Sequence, residues 1–492
     1  MRLNPSVKCL LSLIPVFVLF NACSTPTPQA ATSELSSTMK SDLPVIPPAK
    51  HFQHQEPVKY TLDNGMPVWY LYNPIVPLMS MKIAFDAGSY LDTPEKAGRA
   101  ALTAAMLKEG SNGKSAQTIS DEIEMLGATL YTSTTQDSVT LDLQTMTQFF
   151  PDALRLLEEV WLKPDFTQAS LDRLKKLWIS NLITRSDAPE QLAKLAGNRD
   201  FFGDDHPYAI STDGYLDTIP SITVEDLKSY YAQAFAPSHA TLIITGNIPS
   251  DQLIDQLNQQ FGKLDRTPVE IPPCAVSQRQ HKTSVVIVHK ADAPQTVIRI
   301  ALPGVVASDP DLLSRKLVNI PFGGAFTSRL MQNIREDKGY TYGAYSVIAP
   351  LKADGFMIAQ ASVSSDVTGA ALKEFLYEID RLSKGDFTQE EFERAKATWQ
   401  SELVQTFETQ SGILSTLVSI IMNMHAIDTI NVFAKQLQDK TLEDFNHMAQ
   451  QFPKRDTMSI TLVGDQNLIL EQIKDMGLPE PTFRDNQGFL IH

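Results

Sequence analysis

One helix is written into this chain twice. Residues Asp165–Leu182 read DFTQASLDRLKKLWISNL and residues Asp386–Leu403 read DFTQEEFERAKATWQSEL, with nine of the eighteen positions identical, Arg173/Arg394 and Trp178/Trp399 among them. The offset is 386 − 165 = 221. Two further pairs keep nearly the same offset in the same order: MKIAFDAG (Met81–Gly88) with IRIALPG (Ile298–Gly304), 299 − 82 = 217, and ATLIITGN (Ala240–Asn247) with MSITLVGD (Met458–Asp465), 464 − 246 = 218. The last two pairs are apolar runs of strand character that end at glycine and lead into helical stretches. Three matches in register leave little room for coincidence: the chain holds two copies of one domain, each of about 215 residues, which lies within the usual size range of a domain.

Each copy mixes β-branched strands with long helices. In the repeated helix Leu171, Leu174, Trp178 and Leu182 form one apolar stripe, and the second copy adds Thr388 and Glu391 at the spacing of a capping box. Strands and helices do not alternate regularly, so the expected fold class is α+β, two homologous sandwich domains in tandem with a sheet packed against helices, rather than a doubly wound sheet. The first copy is expected over 57–265, opening on the hairpin signal DNG in VKYTLDNGMPVWYLY. A Pro-rich polar break over 266–281 separates it from the second, 282–492.

Composition narrows the partners. With 43% hydrophobic and 20% charged residues the 492-residue chain has material for real cores. Its 42 basic and 57 acidic residues give a net charge of −15 with no Lys/Arg cluster, so nucleic acid is not an expected partner.

The N-terminus sets the compartment. A basic MRLNPSVK precedes the apolar run CLLSLIPVFVLF. Twelve residues reach about 18 Å as a helix, short of a bilayer core of about 30 Å, so residues 1–22 read as a secretory leader. It ends LFNAC-S, which resembles the bacterial lipoprotein signal, with Phe20 where that signal prefers Leu. The resemblance implies lipid attachment at Cys23, export to the periplasm and, from Ser24, sorting to the outer membrane. Residues 23–56, rich in Ser, Thr and Pro, read as a tether. Cys9 lies in the leader, so Cys23 and Cys274 leave no pair suited to a structural disulfide.

Two stretches sharpen the reading. GRAALTAAMLKEGS (Gly98–Ser111) resembles the helix that carries H-x-x-E-H in pitrilysin/insulinase-type zinc peptidases, the family of the mitochondrial processing peptidase. There two His one turn apart bind zinc, and the Glu takes a proton from the attacking water. Anchored on Gly98 and MLKEGS, the five positions here are Ala101, Leu102, Thr103, Ala104 and Ala105, so both His and the Glu are Ala. The resemblance places the third ligand, a Glu, near Asn181, and no Glu occurs from Val160 to Pro189, whereas Glu402 stands beside the matching place in the second copy. No metal is expected in this chain. FGGAFTSRLMQNIREDKGYTYGAYS (Phe322–Ser346) resembles the stretch from which paired members contribute an Arg and a Tyr seven residues apart to the zinc site of the other half or subunit, here Arg335 and Tyr342. A Tyr hydroxyl donates to an oxyanion, and an Arg holds the peptide or the Tyr. Gly323 and Gly324 are expected to let substrate backbone approach.

Other patterns carry less. His51, His54 and Glu56 in HFQHQE form a possible metal clip, and GDDHPY sets Asp204 near His206, but the family has a similar His-Pro-Tyr turn that binds no metal. GSNGKS (Gly110–Ser115) follows a helix rather than a strand and lacks the first glycine of a phosphate loop. No G-x-S-x-G occurs, and ILSTLVSIIMNM (Ile413–Met424) reads as a buried helix.

The resemblance thus implies the non-catalytic subunit of a heterodimeric exported zinc metallopeptidase. Zinc and H-x-x-E-H would reside on a homologous partner, peptides or unfolded segments would be substrates, and Arg335 and Tyr342 would complete the partner's site. The alternatives are a binding or scaffold protein with no role in proteolysis, and an active homodimer whose metal site His51 or His206 would have to supply.

Overall fold

The computed structural model describes residues 52–276 and 282–491; the leader, Cys23, most of the tether and His51 lie outside the described residues. The first copy contributes β1 (Val58–Thr61), β2 (Pro67–Tyr72), β3 (Leu78–Phe85), a two-residue hairpin of β4 (Gly110–Ser111) and β5 (Lys114–Ser115), β6 (Thr129–Thr134), β7 (Val139–Met146) and β8 (Ala240–Gly246). The second contributes β9 (Ser284–His289), β10 (Gln295–Pro303), β11 (Thr341–Pro350), β12 (Gly355–Ser364), β13 (Ser459–Gly464) and β14 (Thr482–Arg484).

Two six-stranded sheets result, ordered β6-β7-β3-β8-β2-β1 and β11-β12-β10-β13-β9-β14. The first five strands match one for one, antiparallel throughout except for the β2/β8 and β9/β13 pairs. This is the expected α+β architecture. The sixth strand differs: β1 runs antiparallel to β2, whereas β14 runs parallel to β9. The chain therefore enters the first sheet along the edge by which it leaves the second.

Each sheet has helices on both faces, which explains why strands such as β10 are buried along almost their whole length. One face packs against helices of its own copy. The first core gathers Phe85, Leu141, Trp161, Leu171 and Leu257; the second gathers Ile300, Phe322, Phe375, Phe392 and Trp399. The other face is covered by one helix from the opposite copy. Helix Pro189–Phe202 of the first copy lays Leu192, Ala193 and Ala196 on Val286, Val288, Val297 and Val463 of the second sheet. Its counterpart, Gln410–Met422, lays Ile413, Leu414 and Leu417 on Leu71, Ala84 and Ile243 of the first. The two helices begin 410 − 189 = 221 residues apart, so they are copies of one element, exchanged reciprocally. The apolar run from Ile413 is buried by sheet, as its composition requires. Among the described residues no helix is long and apolar enough to cross a membrane.

Polar contacts position the exchanged helices. Gln410 accepts from Ser80 Oγ at 2.6 Å and donates to Leu78 O at 3.1 Å. Gly197 is needed for the other seat, since a Cβ there would stand 2.9 Å from Thr461 Oγ1. The equivalent hairpin tips also meet: Asp137, after β6, accepts from Lys352 N at 2.9 Å and from Tyr208 Oη at 2.5 Å, while Ala353 N donates to Tyr208 Oη at 3.2 Å. Burial raises the pKa of Asp137 and lowers that of Lys352 to about 8.

Candidate functional site

In the first copy the helix Arg99–Met106 packs beside the repeated helix Gln168–Ser186, with Leu102, Ala104 and Met106 in one core with Leu171 and Leu174. Gly98 starts the shorter helix in the left-handed region at φ +92°, and a Cβ there would lie 2.7 Å from Ile219 Cδ1. Asp92, buried beneath that start, accepts from Gly98 N at 3.2 Å, Ala100 N at 3.1 Å and Arg99 Nε at 3.3 Å. Burial nevertheless outweighs Arg99 and the amides and pushes its carboxyl up to about 7. Nothing in the spacing of the sequence singled out Asp92; its part as acceptor for a helix start is set by tertiary burial.

The helix pair that would bracket a metal is therefore built and held, but its side chains are not ligands. Ala101 and Ala104 are buried methyl groups, Ala105 is half-buried, and Asn181 is exposed on the neighbouring helix. Among the described residues no group of three or more His, Cys, Asp or Glu stands together as a metal site. These residues do not fit zinc, since neither a methyl group nor the exposed Asn181 amide replaces an imidazole or carboxylate ligand.

The weaker candidates resolve into structure. Asp204 accepts from Arg484 at 2.6 Å and Arg199 at 3.3 Å, and these arginines hold its carboxyl below the usual range despite partial burial. His206 stacks on Phe202 with centroids 5.4 Å apart, and its Nε2 lies 3.0 Å from Ala275 O. His54 stacks on Phe407 at 4.3 Å, and its backbone amide donates to Asn431 Oδ1 at 3.1 Å. Each of the three serves packing between distant parts of the chain.

In the second copy the Phe322–Ser346 stretch overlaps one wide, π-helical segment, Ile320–Gly324, and contains another, Met331–Asp337, followed by edge strand β11. π-Helical turns are rare and concentrate at functional sites. Arg335 lies on the second segment, its guanidinium 4.7 Å from the ring centre of Phe326, which is itself 68% exposed. Tyr342, at the start of β11, is 91% exposed and makes no hydrogen bond among the described residues. A bulge between Thr341 and Ala344 breaks the pairing with β12 at this point. Among the described residues the outer side of β11 has no strand partner, and Tyr345 and Val347 alternate outward along it.

The glycines divide. Gly324 is exposed, whereas Gly323 is buried, and a Cβ on it would meet Ser346 Oγ at 2.3 Å and Leu330 Cδ1 at 2.7 Å. The room it leaves on the Cβ side is filled by the protein's own strand and helix.

Sequence reasoning passed over Arg329. It is 6% exposed and bonds Glu391 at 2.6 Å and Asp386 at 2.5 Å, with its guanidinium 3.9 Å from the ring centre of Phe387. It thereby ties the Arg/Tyr stretch to the start of the repeated helix Gln389–Phe407. The signal was the acidic DFTQEE of the second copy against DFTQAS of the first.

Comparison with known proteins bears on both copies of the duplication. The family profile described as "Insulinase (Peptidase family M16)" matches residues 68–200, and "Peptidase M16 inactive domain" matches 221–398. A Helicobacter pylori protein named "Non-peptidase homolog YmxG" is 25% identical over 82% of this chain and 92% of its own length. The crystal structure of a peptidase M16 inactive domain from Pseudomonas fluorescens superposes with TM-score 0.77 at 26% identity, covering 83% of this chain and 98% of that one. The first half of the periplasmic protease PqqL from Escherichia coli shares the fold, with TM-score 0.69 at 16% identity over 85% of this chain and 94% of that one. Both copies of the duplication are thus matched by parts of one family, and the chain belongs to the insulinase-type M16 peptidases.

Proposed function

We propose that this chain is the zinc-less subunit of an exported heterodimeric peptidase, and that it lends Arg335 and Tyr342 to the zinc site of an H-x-x-E-H-bearing homologue. The observation that carries the reading is Tyr342. A phenol held 91% exposed beside a strand bulge, without a side-chain partner among the described residues, stabilises nothing locally and is free to donate to a group on another molecule. Arg335, with its guanidinium 4.7 Å from the Phe326 ring centre, would sit beside the same substrate. The open side of β11 suits an extended peptide added as a further strand, with main-chain hydrogen bonds that tolerate many sequences. The names of the relatives support inertness of the chain by itself: one is a non-peptidase homologue, another an inactive domain. The periplasmic PqqL supports export, and Cys23 would supply the lipid anchor.

The test is to mix the chain with an H-x-x-E-H homologue and follow cleavage of a quenched fluorogenic peptide. Activity should appear only in the mixture and should fall at least a hundredfold on Tyr342→Phe, on the scale of losing one oxyanion donor. A partner equally active without this chain would sink the complementation. A mixture indifferent to Tyr342→Phe and Arg335→Ala would leave the scaffold reading in its place, which the name of the Helicobacter pylori relative favours.

A further inference from the structure

Two pockets occupy equivalent places in the two copies. Each lies where the C-terminal end of the repeated helix meets the exchanged helix and the connection that follows it. In the first copy Arg185, Gln191 and Leu195 form walls; adding 221 gives Thr406, Gly412 and Thr416, which are walls of the second. The first pocket has a volume of only about 50 Å³. The chain's own C-terminal segment closes it: Asn486 and Gln487 line it, Gln487 Oε1 accepts from Leu216 N at 3.1 Å, and Phe489 packs on Tyr215 with centroids 5.3 Å apart.

The second pocket is open, with a volume of about 340 Å³. At all three matched positions its wall side chain is smaller, Thr for Arg, Gly for Gln and Thr for Leu. Leu312 and Ile420 supply an apolar floor. Lys316 lines it too, reachable by solvent but without a hydrogen bond or ion pair among the described residues. The lone acid in the lining, Asp309, is engaged with Asp311 N at 2.7 Å. His425 points its Nε2 to Ala307 O at 2.6 Å. The pocket thus offers an apolar floor and one unneutralised ammonium, in the place where its twin is lined by the Asn486–Gln487 turn from the C-terminal region of the chain.

We propose that this second pocket binds the C-terminal end of another polypeptide, with apolar side chains on Leu312 and Ile420 and the terminal carboxylate on Lys316. Its volume is at the low end for ligand pockets, enough for about two or three residues. The site is separate from Arg335 and Tyr342, so it stands or falls independently of proteolysis.

The probe is fluorescein-Gly-Ser-Ile-Leu-Phe with a free carboxylate, titrated by anisotropy against the purified chain without any partner, beside the same peptide as its C-terminal amide. The acid should bind at least tenfold more tightly than the amide, and Lys316→Met should abolish that difference. Thr416→Trp, which fills the pocket from a half-exposed position, should remove binding of both peptides while the helical circular dichroism stays unchanged. Equal binding of acid and amide would overturn the proposal, as would binding indifferent to both variants or no binding at millimolar protein. Displacement of the peptide by decanoate at or below the peptide's own dissociation constant would overturn it in favour of a fatty-acid site.

Discussion

The two copies of the DFTQ helix start from the same letters and have become different devices. In the first, Asp165 accepts from Gly113 N at 3.1 Å and steadies the β4–β5 turn, Thr167 caps alone, and Arg173 reaches Glu109 on the surface. In the second, Thr388 and Glu391 form a full capping box, and Glu391 and Asp386 together hold the buried Arg329. The scaffold places both helices alike because their apolar stripes, Leu171 and Leu174 in one and Phe392, Ala395 and Trp399 in the other, bury against their own sheets. Polar chemistry was free to diverge wherever packing did not depend on it. The first copy kept a helix pair with methyl groups where a metal site would be; the second kept the support beneath Arg335 and Tyr342.

The sharpest way to break this comparison is to remove the two arginines in turn. Arg329→Ala leaves Asp386 and Glu391 without their buried partner and should destabilise the protein by about 3–5 kcal/mol in urea unfolding. Arg173→Ala, at a pair whose Arg is 54% exposed, should change stability by less than about 1 kcal/mol. Equal effects would mean that the copies have not diverged as described.

The exchange of helices yields the next effect. Leu417→Ala removes a fully buried side chain from the first sheet and should destabilise by about 2–5 kcal/mol. Since each copy's helix completes the other's sheet, unfolding should remain one transition that shifts as a whole. Two separated transitions in calorimetry would refute the interlock.

Gly323→Ala should follow at about 1–3 kcal/mol, because the new methyl must displace Ser346; an unchanged melting temperature would restore Gly323 as open space. Asp92 gives a smaller, pH-dependent effect. Its folded pKa of about 7 lies above the ordinary 3.8, so the folded state binds the proton more tightly. Its contribution to stability is fully present below about pH 4 and lost as pH rises through 7. Asp92→Asn should therefore flatten the loss of stability between pH 4 and 8 relative to the unaltered chain, and a parallel profile would disprove the assignment. Tyr342→Phe, at a 91% exposed side chain, should alter stability by no more than about 0.5 kcal/mol.

Much of this was legible in the letters. The repeat of DFTQ, the glycine-ended strands at offsets of 217 and 218, and the apolar stripes announced two α+β sandwiches, because periodic burial leaves a periodic trace. The positions of Ala101, Ala104 and Ala105 could be read against a motif whose chemistry admits no substitute. Arg329 and Asp92 could not be picked out in that way. Their roles depend on desolvation by neighbours distant in sequence, and an Arg or Asp in a helix-forming stretch is spelled the same whether buried or exposed. Gly323 shows a similar limit: a glycine makes room, but only the surroundings tell for what.

By itself the sequence determined the duplication, the fold class and the absence of ligand-bearing side chains on the Arg99–Met106 helix, since these follow from residue type and local period. Only the tertiary structure decided that Pro189–Phe202 and Gln410–Met422 change places, that equivalent hairpin tips meet at Asp137, and that one pocket is filled while its twin is open. An apolar helix face encodes how much surface must be buried, and the hydrophobic effect has no direction. Which sheet receives that face is settled by shape and by the few polar groups, such as Gln410 and Ser80, that find partners in only one arrangement.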